Sequence, residues 1–235
     1  FVAHIKAVSG MDVAERRRPQ DGRWIDVRDD GQRVDLRINT IPSLYGEDMT
    51  LRILERETKL LTLAGLGLIR PQLNALNAMV NSPGGLMLVT GPTGSGKTTT
   101  LYACLQHLNN GQRKINTIED PIEYSLVGVR QSQIRERIGV DFPDLLRGVL
   151  RQAPDIIMIG EIRDPVTAIT AVRAANSGHL VFATLHAPNA ATAVQSMLNL
   201  GVAPHFLASS LRGTIAQRLV RSLCPECKVE IDVSE

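Results

Sequence analysis

One nine-residue run, Gly91-Pro92-Thr93-Gly94-Ser95-Gly96-Lys97-Thr98-Thr99, limits what this 235-residue chain can fold into more than any other. It matches the spacing G-x-x-x-x-G-K-[ST], which serves a purpose only between a strand and a helix. That context is met: Leu86-Met87-Leu88-Val89-Thr90 precedes it as an apolar strand pattern, and a helix pattern runs on through Leu108. The four fixed positions match by chance in roughly one chain of this length in a hundred, before context is counted. Glycines let backbone N–H groups wrap around a phosphate, and a helix N-terminus adds about half a positive charge. Lys97 is then placed to reach the β and γ oxygens of ATP, and Thr98 to offer its hydroxyl to Mg²⁺. Gly91 through Thr99 are the candidate nucleotide-binding residues.

Beyond the loop, apolar strands expected at 115–118, 156–159 and 180–185 alternate with helices expected at 141–151, 165–176 and 190–200. That alternation implies βαβ units and a parallel sheet covered on both faces, an α/β fold. Upstream the pattern differs. Trp24-Ile25-Asp26-Val27-Arg28 and Arg33-Val34-Asp35-Leu36-Arg37-Ile38 alternate apolar with charged residues, the period of half-buried antiparallel strands. Asp29-Asp30-Gly31-Gln32 supplies a hairpin turn, and another strand is expected at 49–54. The shift near residue 57 divides the chain into a small β-rich domain, 1–57, and a larger domain, 58–235, joined by a linker around 57–63.

Composition narrows the partners. The 26 Lys+Arg against 24 Asp+Glu leave a net charge of +2, and aromatics are 3%, so neither a polyanion footprint nor a set of stacking rings points to nucleic acid. Apolar runs fall far short of the ~20 residues needed to span a bilayer. Three cysteines make no disulfide framework. Opening on Phe1, the chain reads as a fragment.

Ligands of parallel sheets lie outside the carboxyl ends of the strands, which sorts the acidic residues. Asp155 begins its strand and is expected to be structural. Glu161, just past Gly160 at the other end, is the leading candidate to position and polarise an attacking water. In Glu119-Asp120-Pro121-Ile122-Glu123, alternation lets only one of Glu119 and Asp120 face the nucleotide, with Glu123 on the loop beyond. Glu119 and Glu123 join the candidate catalytic set, as does His186, at the carboxyl edge, which can report the γ-phosphate. His179 starts the same strand and is expected to be structural. Asp164 before Pro165 reads as a helix N-cap, and Cys104 as core.

Taken in order, Gly91 to Thr98, the 117–123 segment, Gly160-Glu161-Ile162-Arg163-Asp164 and the 178–186 segment resemble the Walker A, Asp box, Walker B and His box of the type II secretion and type IV pilus ATPase superfamily. Arg18-Pro19-Gln20-Asp21-Gly22-Arg23 and Ile41-Pro42-Ser43-Leu44-Tyr45-Gly46-Glu47 look like that family's N-terminal companion domain. The resemblance implies a RecA-like P-loop ATPase domain, truncated at its C-terminal end, preceded by the C-terminal part of a small PAS-like α+β domain. It further implies a homohexameric ring at the cytoplasmic face of the inner membrane, working pilin assembly through a membrane platform protein. In that setting Arg23 and Arg37 become candidate arginine fingers, since a planar guanidinium suits phosphate clamping. Cys224-Pro225-Glu226-Cys227 is half a zinc site. A lone C-x-x-C leaves tetrahedral Zn²⁺ two ligands short, so Zn²⁺ is expected only with further C-terminal residues. Within the family the element points to the assembly or secretion branch. A nucleotide-gated scaffold and a nucleic-acid translocase are the competing functions.

Overall fold

The computed structural model describes residues 1–27, 33–55, 62–135, 138–224 and 226–229. The expected turn at 29–32, most of the expected linker, the Arg33 side chain and Pro225 lie outside the described residues. The chain divides into two compact units, Phe1–Lys59 and Leu60–Glu235.

In the first unit a short helix, α1 (Val2–Val8), precedes three antiparallel strands, β1 (Gln20–Val27), β2 (Arg33–Ser43) and β3 (Gly46–Glu55), in the order β1-β2-β3. The register Trp24↔Leu36↔Ile53 fixes which residues share a face. Val34, Leu36 and Ile38 turn to a small core with Ile5 and Met11, against which Trp24, Met49 and Leu51 pack. Pro42 lies within β2 but beyond Thr40, the last residue that β1 pairs, where a missing N–H breaks no ladder bond on that side. The buried Lys6 ammonium meets Glu47 at 2.6 Å and donates to Glu15 O, also at 2.6 Å.

The second unit is a six-stranded parallel sheet in the order β6-β5-β7-β8-β4-β9. Its elements are α2 (Arg70–Val80), β4 (Gly85–Thr90), α3 (Lys97–Leu108), β5 (Ile115–Glu119), β6 (Arg130–Gln133), α4 (Phe142–Leu150), β7 (Ile156–Ile159), α5 (Pro165–Asn176), β8 (Leu180–Leu185), α6 (Ala190–Asn199), α7 (Pro204–Ser210) and β9 (Leu211–Ala216). Side-chain alternation divides the core into two layers. Leu86, Leu88, Ile118, Ile157, Ile159, Val181 and Ala183 meet α4, α5 and α6 on one face. Met87, Val89, Ile115, Ile156, Met158, Leu180 and Phe182 meet α2 and α3 on the other. Continuous apolar strands therefore bury both faces, as a parallel sheet requires.

The expected strands and helices of this unit are present, and Asp141, Asp164 and Asn189 cap α4, α5 and α6 by accepting from the third residue on. Asp155 is structural: it takes the Lys114 N–H at 2.6 Å, while Lys114 O accepts from the Asp155 N–H. Cys104 is fully buried, and burial pushes its thiol up to about 12. His179 lies 3.0 Å from Ala174 O at the end of α5.

Candidate nucleotide site

Gly96, in the left-handed conformation (φ 84°), stands at the N-cap of α3 without a side-chain cap, so the first-turn N–H groups are directed at the loop. Gly91 and Gly94 also have positive φ, 148° and 75°. At Gly91 more than conformation forbids a side chain, since a Cβ would stand 2.4 Å from Gln217 O and 2.7 Å from Ser95 Oγ. Pro92, Thr93 and Gly94 form the exposed rim, whereas Ser95 is 4% exposed and its hydroxyl oxygen is buried without a hydrogen-bond partner. That orphaned hydroxyl, at the start of α3 beside Thr98 and Thr99, fits a bound phosphate. Lys97 donates to Gly91 O at 2.9 Å and Pro92 O at 3.0 Å. Burial pulls its ammonium below the usual range, and the Glu161 carboxylate opposes that pull.

Glu161 is 16% exposed at the carboxyl end of β7. One of its oxygens lies 3.1 Å from His186 Nε2, and the other 2.6 Å from an Arg163 guanidinium nitrogen. Arg163 also reaches Asp120 at 3.6 Å, so polar contacts link the ends of β5, β7 and β8. Gly160 stands where many phosphate-loop enzymes keep an aspartate, and packing explains it. Its N–H donates to Ile118 O at 2.7 Å, and a Cβ there would meet Ile118 O at 3.1 Å and Glu119 Cα at 3.3 Å. Thr184 holds Gly160 O at 2.5 Å and Thr184 O accepts from Ile162, fixing both flanks of Glu161. Thr90 does the same for His186: its hydroxyl lies 3.0 Å from Leu185 O and 2.6 Å from Ala187 O, and accepts the Ala187 N–H. An open cavity of about 390 Å³ adjoins Glu161, Arg163 and His186.

Glu119 is separated from this group. Odd-numbered residues of β5 face α3, so Glu119 shares the interior with Ile115 and Thr117 and is 2% exposed. Its carboxylate accepts from the Tyr102 hydroxyl, from Thr117 at 2.5 Å and from Gln131 at 3.1 Å. Burial pushes its pKa up, against the pull of those three donors. So enclosed, Glu119 is set apart from the Glu161, Arg163 and His186 cluster at the sheet edge. Gln131 carries the network onward, donating to Tyr124 O and accepting the Leu126 N–H, which pins the loop bearing exposed Glu123.

In the first unit the register sets Arg23 opposite Arg37 and Arg37 opposite Arg52, three arginines in one row on one face. Like charges facing across strands repel. Asp35 offsets this: 1% exposed on that same face, its carboxylate forms a bidentate pair with Arg23, which raises the guanidinium pKa further. Cys224 and Cys227 are exposed and unbridged, and hydrogen bonds from the backbone of Glu226 and Cys227 hold the Cys224 thiol below its usual value. Among the described residues no group of three or more His, Cys, Asp or Glu side chains could hold a metal, and no helix is long and apolar enough to cross a membrane.

Thr90, Arg163, Arg52 and Gln217 were not singled out in the sequence. Arg163 was within reach, two residues past Glu161 at the same sheet edge. Arg52 needed the strand register, and Thr90 and Gln217 needed the strand order.

Several known proteins are similar to the chain. The chain is 48% identical over 235 residues to the Type II secretion system protein E of Aeromonas hydrophila, 50% over 232 residues to HxcR, a type II secretion system protein of Pseudomonas aeruginosa, and 47% over 228 residues to the Type II secretion system ATPase E of Vibrio cholerae. These matches take in 97% or more of this chain but 45–49% of the relatives, so the chain spans about half their length. Among solved structures, the pilus retraction motor PilT with bound ADP matches at 35% identity with a TM-score of 0.74, covering 87% of this chain and 60% of PilT. The ATPase DotB of Yersinia pseudotuberculosis matches at 26% identity with a TM-score of 0.76, covering 94% of this chain and 63% of DotB. These likenesses and the parallel sheet identify the second unit as RecA-like. The profile of the family described as Type II/IV secretion system protein matches residues 1–235 throughout, and the chain belongs to that family.

Proposed function

We propose that this chain is the catalytic part of an ATP-hydrolysing motor that powers assembly of a type II secretion pseudopilus or a type IV pilus. The observation that carries this reading is the placement of two groups at the carboxyl edge of one parallel sheet: the phosphate loop opens from β4, and at the end of β7 His186 and Arg163 hold the Glu161 carboxylate in place. Gly91 to Thr99 bind the phosphates of ATP through loop amides. Thr98 would hold Mg²⁺, which supplies charge neutralisation at the β and γ oxygens when bound. Lys97 stabilises charge that grows on the transferred phosphate. Glu161 orients water and accepts its proton, while His186, 3.1 Å away, moves with the γ-phosphate and transmits its loss. Glu123 is the second acid at the edge. Arg23 and Arg37 act as fingers on the nucleotide of a neighbouring subunit in a homohexamer, docked on an inner-membrane platform protein from the cytoplasmic side. The names of the relatives, type II secretion proteins and a pilus motor, support the class of work.

Steady-state phosphate release tests the reading. The wild-type chain should turn over ATP, and Lys97→Ala should lower the rate about 10²-fold or more, as loss of a transition-state charge partner does. A wild-type chain that binds ATP without turnover would instead be a nucleotide-gated scaffold.

A further inference from the structure

Gln217 follows β9, an edge strand, and touches the phosphate loop from three sides. Its N–H donates to Thr90 O at 3.0 Å, the last carbonyl of β4. Its side-chain amide donates to Ser95 O at 2.7 Å, and its amide oxygen accepts from the Thr100 hydroxyl at 2.9 Å. Its own carbonyl stands where a Cβ on Gly91 would fall, 2.4 Å away, so this contact sets the residue type that opens the loop. One residue, more than a hundred positions downstream, thus binds the strand before the loop, the loop, and the helix after it.

Geometry gives these contacts a consequence. A phosphate loop binds through N–H groups that must all point inward at once, and each peptide plane carries a carbonyl pointing the other way. Ser95 O belongs to the peptide that supplies the Gly96 N–H. A donor that holds Ser95 O outward therefore holds the Gly96 N–H inward. Ser95 O can only accept, so it takes the NH₂ end of the Gln217 amide, and the amide oxygen is left to accept from the Thr100 hydroxyl.

We infer that Gln217 is a positioning residue of the nucleotide site, aiming the loop amides at the phosphates through Ser95 O and making β9 a support of the binding loop. The inference rests on the nucleotide reading of that loop. It touches no reacting atom and differs from a packing role in one respect: its loss weakens phosphate binding in protein that is still folded.

The test titrates a fluorescent ADP analogue with Mg²⁺ into the wild type, Lys97→Ala, Gln217→Ala, Gln217→Glu and Thr100→Val, with melting temperature followed in parallel. Loss of one well-placed hydrogen bond should raise the Kd of Gln217→Ala about tenfold. Gln217→Glu, which sets an acceptor against Ser95 O, should bind no better than Gln217→Ala. Thr100→Val should give a smaller rise, and adding it to Gln217→Ala should cause no further loss, since both act through one amide. Should Gln217→Ala fail to fold, a wild-type Kd in Thr100→Val overturns the inference. A wild-type Kd in Gln217→Ala, or one lowered melting temperature with unchanged affinity, overturns it too while the nucleotide reading stands. No binding by the wild type overturns both.

Discussion

Glu119 and Glu161 both stand at the carboxyl end of a central strand, and their surroundings are opposite in kind. Glu161 meets the Arg163 guanidinium and the His186 ring at a partly open edge, whereas Glu119 is enclosed by Tyr102, Thr117 and Gln131 beneath α3. Alternation alone shows that Glu119 and Asp120 point to opposite faces. Which face holds α3 follows only from how the chain crosses the sheet, so the interior position of Glu119 could not be read from the sequence. Its raised pKa has a consequence for stability. The proton binds more tightly in the folded chain, so the group's contribution is full below the ordinary carboxyl range and is lost as pH rises through the folded value. Tyr102 donates to the ionised form, and its removal raises that value further. Tyr102→Phe should therefore cost about 1.5–3 kcal/mol at pH 8, and distinctly less at pH 5, in urea unfolding. Equal losses at both pH values would show that the carboxylate is not the partner that matters.

At the scale of elements, the helices whose starts carry Asp or Asn were the plainest. Asp164 before Pro165 announced α5, and its carboxylate accepts from the Thr167 N–H at 2.8 Å and hydroxyl at 2.6 Å. Asp164→Ala should lower stability by about 1 kcal/mol, and Asp164→Ser should restore most of it; unfolding midpoints unchanged by the alanine would remove the cap from the account. The elements hardest to read from the sequence are those without a strong pattern. β6 reads Arg-Gln-Ser-Gln, and β9, Leu-Arg-Gly-Thr-Ile-Ala, mixes polar residues and a glycine because an edge strand is half covered. Gly213 in β9 packs against α2, where a Cβ would stand 2.1 Å from Met79 Sδ, and as a glycine it adds nothing to the strand's pattern. Gln217 comes beside Ser95 only through the pairing of β9 with β4, which no local pattern records.

For the whole molecule, a parallel sheet buried on both faces was legible in its near-continuous apolar runs, and the change to period-two charge alternation separated the N-terminal strands. The strand order was not, because nothing local records that β8 and β9 flank β4. The row Arg23, Arg37 and Arg52 belongs to this scale too, since the proposed finger role needs a neighbour's nucleotide to meet it. Turnover per chain should then rise with protein concentration. Mixing Arg37→Ala with Lys97→Ala, each inactive alone, should recover activity, because some sites pair an intact loop with an intact arginine; flat activity together with concentration-independent wild-type turnover would count against a ring of cooperating subunits. The central claim, that Glu161 activates water at a nucleotide held by the loop, is tested most directly by one paired measurement on Glu161→Gln: bound nucleotide and released phosphate in the same sample. The amide keeps the shape and loses the charge, so the account predicts ATP binding within about threefold of wild type and phosphate release reduced by about 10²-fold or more. Wild-type phosphate release from Glu161→Gln would contradict it and pass the role to Glu123.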